Sequence, residues 1–357
     1  MENISNFYKN KKVLVTGATG FKGAWLCSWL IKLGAKVYGT GFNPNENKNL
    51  FYKLNLNNKI NLKIFDIRNY KKLEKFIKKI KPSIIFHLAA QPLILRSYKD
   101  PYLTFTVNYL GSTNVMEVTR KFKFIKSVIL VTTDKVYESS GITKGFKEQD
   151  LLGGIDPYSA SKSSTELMIR GYRESFFKDK IKCGISSVRA GNVIGGGDWS
   201  KNRLIPDSIR SSIKNKTIVL RNPNFNRPWQ FVLEPIKGYL ILAKKQFENP
   251  LKYSSAWNFG NKSNSITTVS QIVQYIIDYW GSGKLKKFSK NKLYEQENLQ
   301  LDSSKAIKLL KWKPTYSIKE SVKVTTEWYY KVLKLNKKPS EVTNNQIDDY
   351  MYENNWS

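Results

Sequence analysis

An α/β chain built on a doubly wound parallel sheet, with a smaller C-terminal lobe, is the fold the sequence predicts, and three observations predict it. Short β-branched runs alternate with helical stretches from residue 12 to about residue 189, and such alternation closes into a parallel sheet with right-handed crossovers. A glycine turn, Gly17-Ala18-Thr19-Gly20-Phe21-Lys22-Gly23, separates the first strand from the first helix. The chain has 357 residues, 41% hydrophobic and 25% charged, which is enough for a large sheet domain plus an appended lobe and too apolar for wholesale disorder.

The elements follow in order. Residues 12–16 (KVLVT) form the first strand, and residues 24–33 an apolar helix stopped by Gly34. Strands are expected at 36–40 and 62–66. In residues 71–81 (KKLEKFIKKIK), Leu73, Phe76, Ile77 and Ile80 recur at i, i+3, i+4 and i+7, so the lysines are the solvent face of an amphipathic helix. After Pro82, residues 83–89 (SIIFHLA) make the fourth strand. Residues 102–121 read as a long helix, 127–133 as a buried strand, 157–177 as a helix opened by proline, and 184–189 as the sixth strand. Beyond Arg189 the rhythm changes to GNVIGGGDW, RNPNFNRPWQF and scattered short helices.

Charge and composition narrow the class. Sixty Lys and Arg against 28 Asp and Glu give a net charge of +32, which alone would suggest nucleic acid, an anionic membrane or an anionic substrate. The lysines are spread over almost every segment together with Asn and Ile, so the charge reads as a composition bias of the solvated faces, and neither a nucleic-acid nor a membrane partner is expected. No run approaches the roughly 18 apolar residues of a spanning helix. The opening MENISNFYKNKK has no apolar stretch to serve as a signal, and the expected location is the cytoplasm. Cys27 and Cys183 lie far apart and His87 is the single histidine, so no metal is expected. His87, inside the apolar IIFHLAA, reads as a satisfied core imidazole rather than a base.

The glycine turn supplies a tight bend, room for backbone to approach a pyrophosphate and close helix-to-strand packing, with the phosphate on the helix N-terminus. Asp66, at the end of the third strand with Ile67 and Arg68 behind it, stands where a carboxylate would meet an adenine amino group. No acidic residue ends the second strand for the ribose hydroxyls; Gly41-Phe42-Asn43 stands there instead. Charge alone leaves NAD and NADP open, and Lys48 and Lys53 are close enough in sequence to serve a 2′-phosphate. Tyr158 and Lys162 lie four residues apart, on one face of a helix. A tyrosine is a poor base at its free pKa of about 10, but a nearby cation and a positive nicotinamide favour the phenolate, so the pair can take a proton from an alcohol. Thr132, Thr133 and Asp134 end the fifth strand at the sheet edge where such folds bind ligands. Asn192, Arg203, Arg221 and Arg227 are candidates for a diphosphate, since arginine offers planar donors; Arg221 reads equally as a surface charge.

TGxxGFxG, HLAAQ, Asn108 in the long helix, TTDK, YSASK and RAGNVIG, in this order, resemble the extended short-chain dehydrogenase/reductases, and among them the nucleotide-sugar 4,6-dehydratases, over residues 11–335. GATGFKGAWL, TTDKVYE, LLGGIDPYSASK, GNVIGGGDW and RNPNFNRPWQFVLEP resemble the signatures of the CDP-glucose group within that branch. Ala18, Ile155 and Phe231 stand where that group's pattern has histidine, which bears on substrate fit and loop packing rather than on reaction type.

The resemblance implies a Rossmann-type domain over 1–190 that binds NAD and carries the catalytic residues. A mainly sugar-nucleotide-binding lobe over 191–335 follows, with some segments returning to the first domain. A tail over 336–357 is expected to wrap the surface or fray. It implies NAD held by Gly17, Thr19, Gly20, Phe21, Lys22, Gly23, Asp66, Ile67, Leu88, Ala89, Ala90, Asn108, Thr132, Tyr158 and Lys162. Thr133, Asp134, Lys135, Tyr158 and Lys162 match the active centre. Gln91, Arg96, Asn192, Arg203, Leu204, Ile205, Arg221 and Arg227 are the implied substrate contacts.

In the implied reaction, C4 of CDP-glucose is oxidised while Tyr158, assisted by Lys162, takes the hydroxyl proton. The ketone acidifies C5, water leaves across C5 and C6 with Asp134 protonating the departing oxygen, and the stored hydride returns to C6. The product is a 4-keto-6-deoxy sugar nucleotide for surface polysaccharide. Two roles stay open for Lys135: neutral base for the C5 proton, or cation steadying the C4 enolate while a water or Asp134 moves that proton. A C4 epimerase needs only the Tyr/Lys pair, so the Asp134-Lys135 couple speaks against it; the intact pair speaks against a silent sugar-nucleotide or nucleic-acid binder. A homo-oligomer, dimer or tetramer, is expected.

Overall fold

Eleven strands and the helices between them are seen in the computed structural model, which describes residues 4–42, 49–138, 145–178, 183–220, 222–261, 267–287 and 300–356. The strands are β1 (Lys12–Thr16), β2 (Lys36–Gly41), β3 (Asn61–Ile64), β4 (Ile84–His87), β5 (Ser127–Val131), β6 (Gly184–Ala190), β7 (Val193–Ile194), β8 (Thr217–Leu220), β9 (Gln230–Phe231), β10 (Ala256–Phe259) and β11 (Lys284–Lys287). Seven of them form one sheet in the order β10-β6-β5-β4-β1-β2-β3, and every neighbouring pair is parallel. The chain winds outward from β1 to β3, returns, and winds the other way from β4 to β6. The switch point lies between β1 and β4, where Thr16 sits level with His87 and where such sheets open a ligand crevice. This is the doubly wound α/β fold the alternation predicts.

Alternation along β1 shows why the sheet is covered on both faces. Val13 and Val15 join one core cluster with Trp25, Trp29 and Leu240, whereas Leu14 joins a second with Leu73, Ile77, Ile85, Val128 and Ile185. The helix Tyr70–Ile80 buries Leu73, Phe76, Ile77 and Ile80 and leaves Lys71, Lys72, Lys75, Lys78 and Lys79 in solvent, as its spacing dictates. Cys27 and Cys183 are buried free thiols. Among the described residues no helix is long and apolar enough to cross a membrane.

Two helices differ from the simple reading. The stretch 102–121 is continuous but widens into a π turn over Thr106–Leu110, between Pro101–Phe105 and Gly111–Lys121. A second π turn, Arg173–Phe177, ends the helix Pro157–Tyr172. The segment expected to wrap or fray instead forms the helix Pro339–Glu353, with Val342, Ile347 and Tyr350 buried. Tyr350 and Trp356 pack against Trp29 with ring centroids 5.7 and 5.1 Å away, and the Tyr350 hydroxyl donates to the buried Glu234 at 2.6 Å. Aromatic burial outweighs the polar composition there. Strand β10, and the short parallel pairs β7/β9 and β8/β11, lie in the region where the sequence offers no clear period.

Candidate active site

The glycine turn closes against the end of β4. Gly17 adopts φ +70°, and a Cβ there would lie 2.7 Å from the Ala89 nitrogen, so only glycine fits. A Cβ on Gly23 would overlap the Gly17 carbonyl oxygen, and one on Gly41 would overlap the Thr19 side chain. The helix Phe21–Lys32 starts at Gly20 with no side-chain cap, leaving its first N–H groups for an anion. This cradle, bounded by Leu88 and Ala89, fits the pyrophosphate of a dinucleotide, and Gly17, Thr19, Gly20, Phe21, Lys22 and Gly23 are the residues that would hold it. At the end expected to meet an adenine, Gly111 backs closely onto Ile67. Asp66 is paired with Arg68 at 2.6 Å, and the Arg68 hydrogen bonds hold its carboxyl below the usual range despite partial burial. Lys53 is exposed on the helix Leu50–Lys53, whereas Lys48 lies outside the described residues.

The catalytic candidates meet at the ends of β5 and the helix Pro157–Tyr172. Asp156 caps that helix through the Ser159 N–H, and Pro157 fixes its first turn. Tyr158 and Lys162, one turn apart, are both buried, and the Lys162 ammonium donates to the Val131 carbonyl at 3.0 Å. Burial brings Lys162 down to about 8, partly countered by Glu166. Burial pushes Tyr158 up to about 12, eased by the adjacent Thr133 hydroxyl and by the Arg203 charge. Thr133 caps the short 3-10 turn Asp134–Val136 and donates to Asp134 Oδ1 at 2.9 Å. Asp134 is 2% exposed, and its Oδ2 has no hydrogen-bond partner among the described residues. Burial raises its carboxyl, against the pull of Lys135, Thr133 and Arg227. A buried carboxyl whose burial favours the protonated form is suited to donate a proton.

Basic groups surround this acid. Burial, then the Arg203 and Lys162 charges, bring Lys22 down to about 7, while Asp134 opposes them; its ammonium lies 3.4 Å from the Tyr239 hydroxyl. Arg203 precedes the helix Leu204–Ile213, which starts with Leu204 and the buried Ile205, and it also pairs with Asp198 at 3.2 Å. Arg227, nearly buried, donates to the Asn226 carbonyl at 2.9 Å. Asn192 accepts the Gln230 N–H through its carbonyl. Arg96 is exposed on the helix Ile94–Lys99, and Arg221 lies outside the described residues.

Several candidates are engaged within the chain. Asn108, on the π turn, donates to Ser161 Oγ at 2.9 Å and accepts the Gln91 N–H at 2.8 Å, which ties the loop after β4 to the helix that carries Tyr158 and Lys162. Ser112 and Thr165 satisfy the Asn108 carbonyl that the π turn frees. The Gln91 amide bonds to Leu93 and Thr104, so its side chain holds this loop. His87 is held between Thr16 at 2.7 Å and Ser112 at 2.9 Å, and burial lowers it to about 3: a neutral core imidazole. Of the three departures, Ala18 and Phe231 are fully buried and Ile155 is exposed. Phe231 packs edge-on against Trp25 at 5.7 Å, within the aromatic core.

Residues 14–325 match the family described as GDP-mannose 4,6-dehydratase. The CDP-glucose 4,6-dehydratase of Salmonella typhimurium is 40% identical over 329 residues, covering 91% of this chain and 92% of that protein. Among solved structures, the UDP-glucose 4-epimerase of Thermotoga maritima with UDP-glucose superposes with a TM-score of 0.77 at 23% identity, over 90% of this chain and 99% of that one. The dTDP-glucose 4,6-dehydratase of Bacillus anthracis in complex with NAD gives 0.74 at 22% identity, over 90% and 97%.

Proposed function

We infer that this chain, which belongs to the GDP-mannose 4,6-dehydratase family, is an NAD-dependent nucleotide-sugar 4,6-dehydratase whose substrate is CDP-glucose. The observation that carries the reaction class is Asp134, a buried carboxyl beside the Tyr158/Lys162 pair with one oxygen unpartnered among the described residues. An epimerase has no departing hydroxide to protonate and no use for such an acid. The 40% identity with the Salmonella enzyme supports the choice of CDP-glucose.

NAD, when bound, supplies the electron-pair acceptor for C4 and the donor for C6. The protein's residues move the protons. Tyr158 Oη takes the C4 hydroxyl proton, and the Lys162 ammonium one turn away favours the phenolate that must form. Asp134 Oδ2 gives a proton to the oxygen leaving C6. Lys135, next in the same turn, serves C5 as neutral base or as the cation that steadies the enolate. Arg203 and Arg227, whose charges reach Tyr158 and Asp134, clamp the diphosphate. The product, a 4-keto-6-deoxy sugar nucleotide, suits surface polysaccharide assembly from the cytoplasm. Offered a panel of CDP-, dTDP-, UDP- and GDP-hexoses, the protein should release water from CDP-glucose first, read as loss of one water by mass spectrometry. Comparable turnover of dTDP-glucose contradicts the CDP assignment and leaves the reaction class standing.

A homodimer or tetramer fits the surface. The packed helices between Ile94 and Phe177 leave Tyr102, Phe105, Tyr109, Leu110, Leu167 and Phe176 exposed, an apolar set that a second copy would cover. Light scattering should give at least twice the monomer mass, and Tyr102→Lys with Leu167→Lys should reduce it to the monomer; a monomeric wild type contradicts this assembly.

A further inference from the structure

Glu166 is a buried carboxylate in the catalytic helix that no step above employs. It is 3% exposed. Its Oε1 accepts from Thr132 Oγ1 at 2.5 Å and Arg189 Nε at 2.9 Å, and its Oε2 from Ser187 Oγ at 2.6 Å and an Arg189 terminal nitrogen at 2.8 Å. Arg189 in turn donates to the Tyr137 hydroxyl at 2.7 Å, and Tyr137 to Asn258 on β10 at 2.7 Å. Thr132 and Tyr137 are the two ends of the segment that carries Thr133, Asp134 and Lys135. The ion pair therefore grips that segment at both ends while its carboxylate rides one turn beyond Lys162 on the helix.

We propose that Glu166 is a positioning residue for the proton transfers: with Arg189 it fixes the segment 132–137 against the catalytic helix, and it places a negative charge one turn from the Lys162 ammonium. This rests on the dehydratase reading above and assigns that reaction a further residue. Two physical arguments support it. A carboxylate held by four donors, two of them from one guanidinium, has one orientation available, so the segment it grips inherits that fixity. Lys162 is buried, and desolvation alone disfavours its charged form; Glu166 is the group that counters it. The other groups around this pair are Lys22 and the neutral His87, which sense Lys162, and Arg173 and Tyr137, which sense Glu166. Burial would raise Glu166 itself, but Arg189, Ser187 and Thr132 hold it below the usual carboxylate range, so it stays charged wherever the enzyme works.

The sign follows. Glu166→Gln removes the negative charge and leaves the Arg189 cation buried, so Lys162 loses its proton at lower pH. The 13Cε titration of Lys162 in the NAD-loaded protein, assigned with Lys162→Met, should move down by about one pH unit, a tenfold shift in that equilibrium. kcat should fall about tenfold or more, its alkaline limb should move the same way, and KM for CDP-glucose should change little. Glu166→Asp should restore part of both. The charge-neutral pair Glu166→Leu with Arg189→Met keeps the volume apolar, so it should recover thermal stability without recovering kcat. An unmoved Lys162 titration with kcat within about twofold of wild type overturns the proposal, as does wild-type kcat in the apolar pair, which supplies the same readings should Glu166→Gln not fold. The Lys162 titration needs no sugar, so a wild type inert toward CDP-glucose refutes the substrate reading alone, and the Lys162 shift still decides the role of Glu166.

Discussion

Tyr158→Phe should lower kcat on CDP-glucose by about a thousandfold, within the range general-base catalysis supplies, while substrate binding measured by calorimetry changes little. In the proposed mechanism the hydroxyl acts on a proton that moves only in the transition state, so kcat and kcat/KM should fall together. The ring is buried among helix and loop residues, and losing one oxygen leaves its packing intact. A variant retaining most of its kcat would remove the Tyr158/Lys162 pair from the chemistry. In the proposed mechanism the pair should also set the alkaline limit in the wild type. Lys162 assists as a cation, and burial brings it down to about 8, so kcat should decline as the pH rises past that value.

The second large effect separates the two residues of the 3-10 turn. Asp134→Asn should permit oxidation at C4 and exchange of the C5 proton in heavy water, yet stall before water leaves, because the departing oxygen finds no proton. Lys135→Met should stall one step earlier, accumulating the C4 ketone, lighter than substrate by two hydrogens, with little deuterium at C5. Product formation should fall by about two orders of magnitude or more in each, the scale of a lost general acid or base. Rapid C5 exchange with normal product in Lys135→Met would exclude it from the elimination, and normal product in Asp134→Asn would exclude Asp134 as the acid.

Much of this site was legible because its signals are local. Glycines three apart after a β-branched run, and a tyrosine and lysine one helical turn apart, are patterns that the backbone period alone translates into geometry. The lysine-rich helix Tyr70–Ile80 was readable for the same reason. The Glu166–Arg189 pair was not, since its two residues lie 23 positions apart and meet only when the helix Pro157–Tyr172 packs on β6. A glutamate in a helix face of small residues, with an arginine inside a buried strand, is the trace it leaves. The π turns at Asn108 and Arg173 follow from hydrogen bonds to the freed carbonyls or from helix ends, which composition does not encode. Strand β10 is short and gains its place from β6, and the helix Pro339–Glu353 hides its buried stripe of Val342, Ile347 and Tyr350 among Asn and acidic residues.

The proposed reaction is an internal transfer from C4 to C6 coupled to loss of water. CDP-glucose deuterated at C4 tests it most directly, with the product analysed by mass spectrometry and NMR. The expected product is CDP-4-keto-6-deoxyglucose, lighter by one water and carrying the deuterium at C6. Deuterium lost to solvent, or a C4-inverted sugar of unchanged mass, would contradict it.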